Sequence, residues 1–142
     1  MADEDTNLPE TSEEPISVRD SVLLSIKKMV GLDRNYTAFD DDLIMHINSA
    51  FTVLNQLGVG PKAPFFISSE NDSWNDFFKN SDKKPELVKS YIYLKVRLLF
   101  DPPSTGVLHQ AMERQISEFE WRLNVECDTK NQNDDTVVTD DV

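Results

Sequence analysis

Asp40-Asp41-Asp42 is the group in this chain best suited to chemistry, because clustered carboxylates are hard oxygen ligands for calcium or magnesium. Just upstream, Asp33-x-Asn35-x-Thr37 starts like a calcium loop. The likeness then fails. The sixth position is Ala38, where the sharp turn needs glycine, and the twelfth is Ile44, where a bidentate glutamate is needed. The plainer reading places three carboxylates in the first turn of a helix, where the macrodipole favours negative charge. The only histidines are His46 and His109, and the only cysteine is Cys127. Neither histidine has an obvious nucleophile and orienting group beside it, as a triad requires. Gly58-x-Gly60 is followed by Pro61 with no Gly-Lys-Ser/Thr, so a phosphate-cradling loop is missing. The expectation is a protein without catalytic residues, metal or cofactor. A metal-assisted enzyme built on Asp40 to Asp42 is the rival reading.

The elements that must position these residues read as helices. Val22, Leu23, Ile26, Met29 and Val30 repeat at helical spacing, predicting a helix over 17–30 capped by Ser17 and Asp20 and ended by Gly31. A longer helix is predicted over 37–57, with Thr37 and Asp40 as its capping pair. Its inner face is Phe39, Leu43, Ile47, Ala50, Phe51, Leu54 and Leu57, and Gly58 ends it. Residues 62–81 are irregular. There Asp72 or Ser73 caps a single turn carrying Trp74, Phe77 and Phe78, aromatics expected to close over the core as a lid. Pro85 opens a central helix that runs to Phe100 and stops at Asp101-Pro102-Pro103. The last helix is predicted over 104–125, with Leu108, Ala111, Met112, Ile116, Phe119 and Leu123 as its core stripe. The expected fold is all-α, a compact bundle of four main helices with a short aromatic lid.

Charge divides the chain into three. Residues 1–16 carry six acids and no base, and residues 126–142 carry six acids and one lysine. These ends hold −6 and −5 of a formal −12, while 17–125 is nearly neutral. Both ends read as disordered acidic tails, since charge without apolar residues cannot offset the entropy of ordering. They serve either as solvated spacers or as arms for a partner. Within the second, Thr136-Val137-Val138-Thr139 is a short β-prone patch able to add a strand to a neighbour's sheet. The expected domain is therefore 17–125. No signal peptide or membrane span is read, which points to a reducing cytoplasm during assembly. Lys27, Lys28, Lys83, Lys84 and Lys89 are scattered among acids, so a basic stripe for DNA is not expected.

Three departures from a plain bundle suggest contact surfaces. Residues 43–61 contain no Asp, Glu, Lys or Arg. The outward positions there are Met45, Asn48, Ser49, Thr52, Asn55 and Gln56, either a merely polar face or a charge-depleted interface. Trp121 falls opposite the core stripe of the last helix, beside Val107, Arg114 and Val125. It serves as an interface anchor or as an internal contact to a tail or the lid. Lys95 falls inside an apolar arc of the central helix. Its ammonium either snorkels to water or pairs with a carboxylate such as Glu118 or one of Asp40 to Asp42.

Three runs then carry a resemblance. Ile47-Asn48-Ser49-Ala50-Phe51-Thr52-Val53-Leu54-Asn55-Gln56-Leu57-Gly58-Val59-Gly60-Pro61, Tyr91-Ile92-Tyr93-Leu94-Lys95-Val96-Arg97-Leu98-Leu99-Phe100-Asp101-Pro102-Pro103 and Arg114-Gln115-Ile116-Ser117-Glu118-Phe119-Glu120-Trp121-Arg122-Leu123-Asn124-Val125 resemble the head–tail connector (adaptor, head completion) family of long-tailed phages, most closely those of Gram-positive hosts. The resemblance covers about residues 17–125 and leaves the tails out. It implies a structural virion protein of the neck. On that resemblance, twelve copies are expected to form a ring under the portal protein, extend the DNA channel and dock a stopper or tail-completion protein, with the genome expected to pass through without specific binding and no membrane involved. Ring closure needs two different patches per subunit. The uncharged helix face and the Trp121–Arg114 side are the candidates. Asp40, Asp41 and Asp42 are the expected channel-lining acids, repelling phosphate. The alternative function is a small helical phage packaging or regulatory protein that binds DNA or another protein.

Overall fold

In a computed structural model the protein is all-α, described over residues 14–79 and 85–135, with side chains described as far as residue 129. Residues 1–13 of the acidic N-terminal segment, Lys83 and Lys84, and Thr136 to Thr139 lie outside the described residues. Among the described residues five helices follow one another: α1 (Val22–Met29), α2 (Asp40–Gln56), α3 (Trp74–Phe78), α4 (Pro85–Phe100) and α5 (Gly106–Asp135). α2 packs mainly on α4, α4 on α5, and α1 on α2. The core between them is Leu23, Ile26, Leu43, Ile47, Phe51, Leu54, Val88, Tyr91, Ile92 and Val96, all buried.

α1 starts about one turn later than a Ser17 cap would place it. Ser17 and Asp20 do pair, with the Ser17 hydroxyl donating to Asp20 Oδ2 at 2.7 Å, but they close a separate turn. The chain is then extended at Ser21 (φ −72°, ψ 130°), which forms an antiparallel bridge with Ser73. Buried Ser21 becomes the true N-cap. Its hydroxyl accepts from Leu24 N–H at 3.2 Å and donates to the Glu70 carbonyl at 2.6 Å.

The start of α2 differs too. Thr37 contributes only its carbonyl, to Asp40 N–H at 3.2 Å, and the N-cap Phe39 caps with no side chain. Asp40 is turned away to meet Lys27, which removes the acid half of the expected capping pair.

The aromatic lid forms as expected. Ser73 and Asp76 make a reciprocal capping box that nucleates α3. Phe51 of α2 meets Phe65, Trp74 and Phe77 at ring centroids 5.0, 6.3 and 5.0 Å apart. Trp74 Nε1 donates to Ser25 Oγ at 2.9 Å, which satisfies its one polar atom. The turn after α2 lets the lid approach: Gly60 has φ +94°, and a Cβ there would lie 2.4 Å from the Phe77 ring. Both facts require glycine at this position.

α5 continues to Asp135, past the expected stop at Val125. The inner stripe Ile116–Leu123 gains another member in Cys127, which is buried with its Cβ 3.6 Å from where a Gly58 Cβ would stand. The Cys127 thiol donates to the Gly58 carbonyl at 3.3 Å. Cys127 thus belongs to the helical core and not to a loose tail.

Candidate functional site

The strongest buried charge is Lys27, which is 1% exposed. It sits on the inner face of α1, one turn after Leu23. Its ammonium donates to the carbonyls of Arg34 at 3.1 Å and Tyr36 at 2.7 Å and lies 2.8 Å from Asp40 Oδ1. The Asp40 approach is too oblique to count as a directed hydrogen bond, so it acts as an ion contact. One cation therefore ties α1, the α1–α2 loop and the first turn of α2 together. Uncompensated burial of such a charge would be costly. Two carbonyls and a carboxylate supply the compensation.

That arrangement reassigns the acidic triplet. Asp40, 25% exposed, is committed to Lys27, whereas Asp41 and Asp42 are exposed and form no ion pair among the described residues. Among those residues, no group of three or more His, Cys, Asp or Glu side chains is placed to hold a metal ion. His109 faces Glu113 across one turn of α5 at 3.6 Å.

The expected Lys95–Glu118 contact is not made. Glu118 projects to solvent and pairs with Arg122 one turn on, at 2.6 Å. Two residues past buried Ile116, it is turned about 200° away from the α4-facing side. Lys95 is half-buried in a groove of about 410 Å³ with Leu98, Leu99, Glu113, Ile116 and Ser117, and has no ion pair among the described residues. A polar link between α4 and α5 is made instead by Tyr91, whose hydroxyl donates to Glu120 Oε1 at 2.8 Å. Burial pushes the Tyr91 hydroxyl well above its usual range, and the Glu120 bond and charge add to the rise.

The uncharged face of α2 does two jobs. Asn48 pairs with the Ile67 backbone in both directions, at 3.0 and 2.8 Å, and Asn55 reaches the carbonyls of Pro61 and Lys62 at 3.4 and 3.5 Å. These two asparagines hold the loop after α2 and are not free contact residues. Met45, Ser49, Thr52 and Gln56 remain exposed, Met45 at 58%. Ser49 and Thr52 donate their hydroxyls to the Met45 and Asn48 carbonyls, both at 3.0 Å. Their polar atoms are satisfied inside the helix.

On α5 the outward stripe is Val107, Arg114, Glu118, Trp121 and Val125. Val107 is 80% and Trp121 67% exposed. Trp121 therefore makes no shielding contact with the lid. With Glu118 closed by Arg122, Arg114 is the one charge of that stripe without a partner among the described residues.

Comparison with known proteins gives the family: the phage connector protein family matches over residues 22–130, and the chain belongs to that family. A phage connector is a structural component of the virion. No curated protein and no solved structure matches the chain. No helix among the described residues is long and apolar enough to cross a membrane.

Proposed function

We propose that this chain is the ring subunit of a long-tailed phage neck, seated under the portal protein, extending the DNA channel and presenting a platform to a stopper or tail-completion protein. The observation that carries this reading is the pair of unlike outward faces on α2 and α5, one uncharged from Met45 to Gln56, the other bearing Trp121 and Arg114. Two different patches on one subunit suit a head-to-tail interface, which closes into a ring when the rotation per copy allows. Large exposed apolar residues such as Trp121 and Val107 gain most from being covered. Asp41, exposed and without an ion pair among the described residues, suits a bore that must not grip phosphate.

Electron microscopy of the purified protein, alone and added to portal-bearing heads, tests the assignment. A twelve-fold ring at the portal vertex is expected. Heads that stay bare at saturating protein overturn it. On the same heads Asp41→Asn is expected to slow DNA release; unchanged release removes Asp41 from the bore.

A further inference from the structure

We propose that α5 of one copy lies along the outer face of α2 of the next copy, the two helices running the same way, with Arg114 against Asp42 and Trp121 against Ser49. This pairing deepens the ring reading and rests on it. Three observations carry it.

The first is charge. Arg114 is a cation of the α5 stripe, and Asp42 an exposed anion at the start of α2, each without a partner among the described residues. The second is register. Arg114 and Trp121 are seven residues apart, as are Asp42 and Ser49. Seven residues rise about 10.5 Å and return to nearly the same side of a helix. Setting Arg114 on Asp42 therefore delivers Trp121 to Ser49 when the helices are parallel. In the opposite direction Trp121 would overshoot the start of α2 at Asp40 and meet no helix. The third is surface chemistry. Trp121 is large and exposed, while Ser49 and Thr52 are small. Their hydroxyls already donate within α2, so covering them strands no polar donor. Glu118 lies between Arg114 and Trp121 but is neutralised by Arg122, so it does not repel the approaching helix. Two copies of one chain thus provide a large residue for a small one and a cation for an anion, at equal spacing.

Disulfide trapping tests the contact without touching the four residues named. Thr52 and Val125 fall beside each other in this register, so Thr52→Cys/Val125→Cys protein, oxidised alone and on portal-bearing heads, is expected to give a ladder of covalent oligomers. Each single variant serves as a control for the buried native Cys127. Adding Arg114→Glu is expected to lower the yield about tenfold, and adding Asp42→Arg to that protein to restore most of it. Rings on heads with no Thr52–Val125 ladder overturn this pairing and leave the ring reading standing. Absence of both rings and ladder overturns the two together. A ladder indifferent to both charge changes overturns the Arg114–Asp42 contact.

Discussion

The Tyr91 hydroxyl, buried between α4 and α5 and bonded to Glu120, sets a direction for the pH dependence of the whole fold. A free tyrosine loses its proton near its ordinary value of 10.0. In the folded protein, burial first, then the bond to Glu120 and its charge, hold that proton to higher pH. The unfolded chain therefore releases a proton that the folded chain keeps. The Tyr91 contribution is complete below about pH 10 and is lost progressively as pH rises above it. Urea unfolding of the native protein is expected to show falling stability above that point. Tyr91→Phe should lose this part of the slope and be weaker by about 1 kcal/mol at neutral pH, the usual cost of one hydrogen bond. Equal slopes in both proteins would show that the hydroxyl is not the group responsible. At this scale the sequence was only partly readable. Lys95 stood out because it interrupts an apolar arc, yet it stays half-buried without an ion pair among the described residues. Lys27 is the buried lysine, and its place beside Leu23, Ile26 and Val30 on one helical arc was the available signal. What the spacing could not supply was its set of acceptors, since two of them are backbone carbonyls fixed by the turn at Arg34 to Tyr36.

Helix ends were legible where the stop is covalent and less so where it depends on distant contacts. Pro85 and Asp101-Pro102-Pro103 bound α4 because proline restricts backbone angles locally. The start of α1 depends on a bridge from Ser21 to Ser73 across the lid, which no local pattern contains. The end of α5 was misplaced for a related reason. The acidic composition after Val125 argues for a loose tail, but Cys127 returns to the core stripe and reaches Gly58 at the turn after α2. That contact has a measurable consequence. A chain ending at Val125 is expected to be less stable than one ending at Thr129 by about 2 kcal/mol, from lost burial and a lost thiol bond. Thermal unfolding of the two compares them directly. Identical midpoints would return residues 126–129 to a role outside the folded unit.

Over the whole molecule the decisive quantity is charge, and its distribution was plain from counting. The formal −12 lies almost entirely in the two ends, so neighbouring copies carry like charges outside the faces proposed to meet. The faces themselves were less readable. Charge depletion along α2 marked the surface, yet it did not separate Asn48 and Asn55, which serve their own chain, from Ser49 and Thr52, which stay exposed. Screening weakens repulsion and attraction alike, with opposite effects on association. The Debye length shrinks from about 10 Å at 0.1 M to about 3 Å at 1 M, so salt weakens both. In the full chain the many acids outweigh one Arg114–Asp42 contact. Self-association measured by sedimentation should therefore strengthen between 0.05 and 0.5 M salt, on the order of tenfold in the association constant. A chain trimmed to residues 14–129 loses five acids at one end, and four acids with Lys130 at the other, leaving −4. With most of the repulsion gone and both faces retained, its association should weaken slightly with salt, as a screened ion pair does. Strengthening by salt in the trimmed chain as well would place the repulsion inside the helical body and remove the ends from control of assembly.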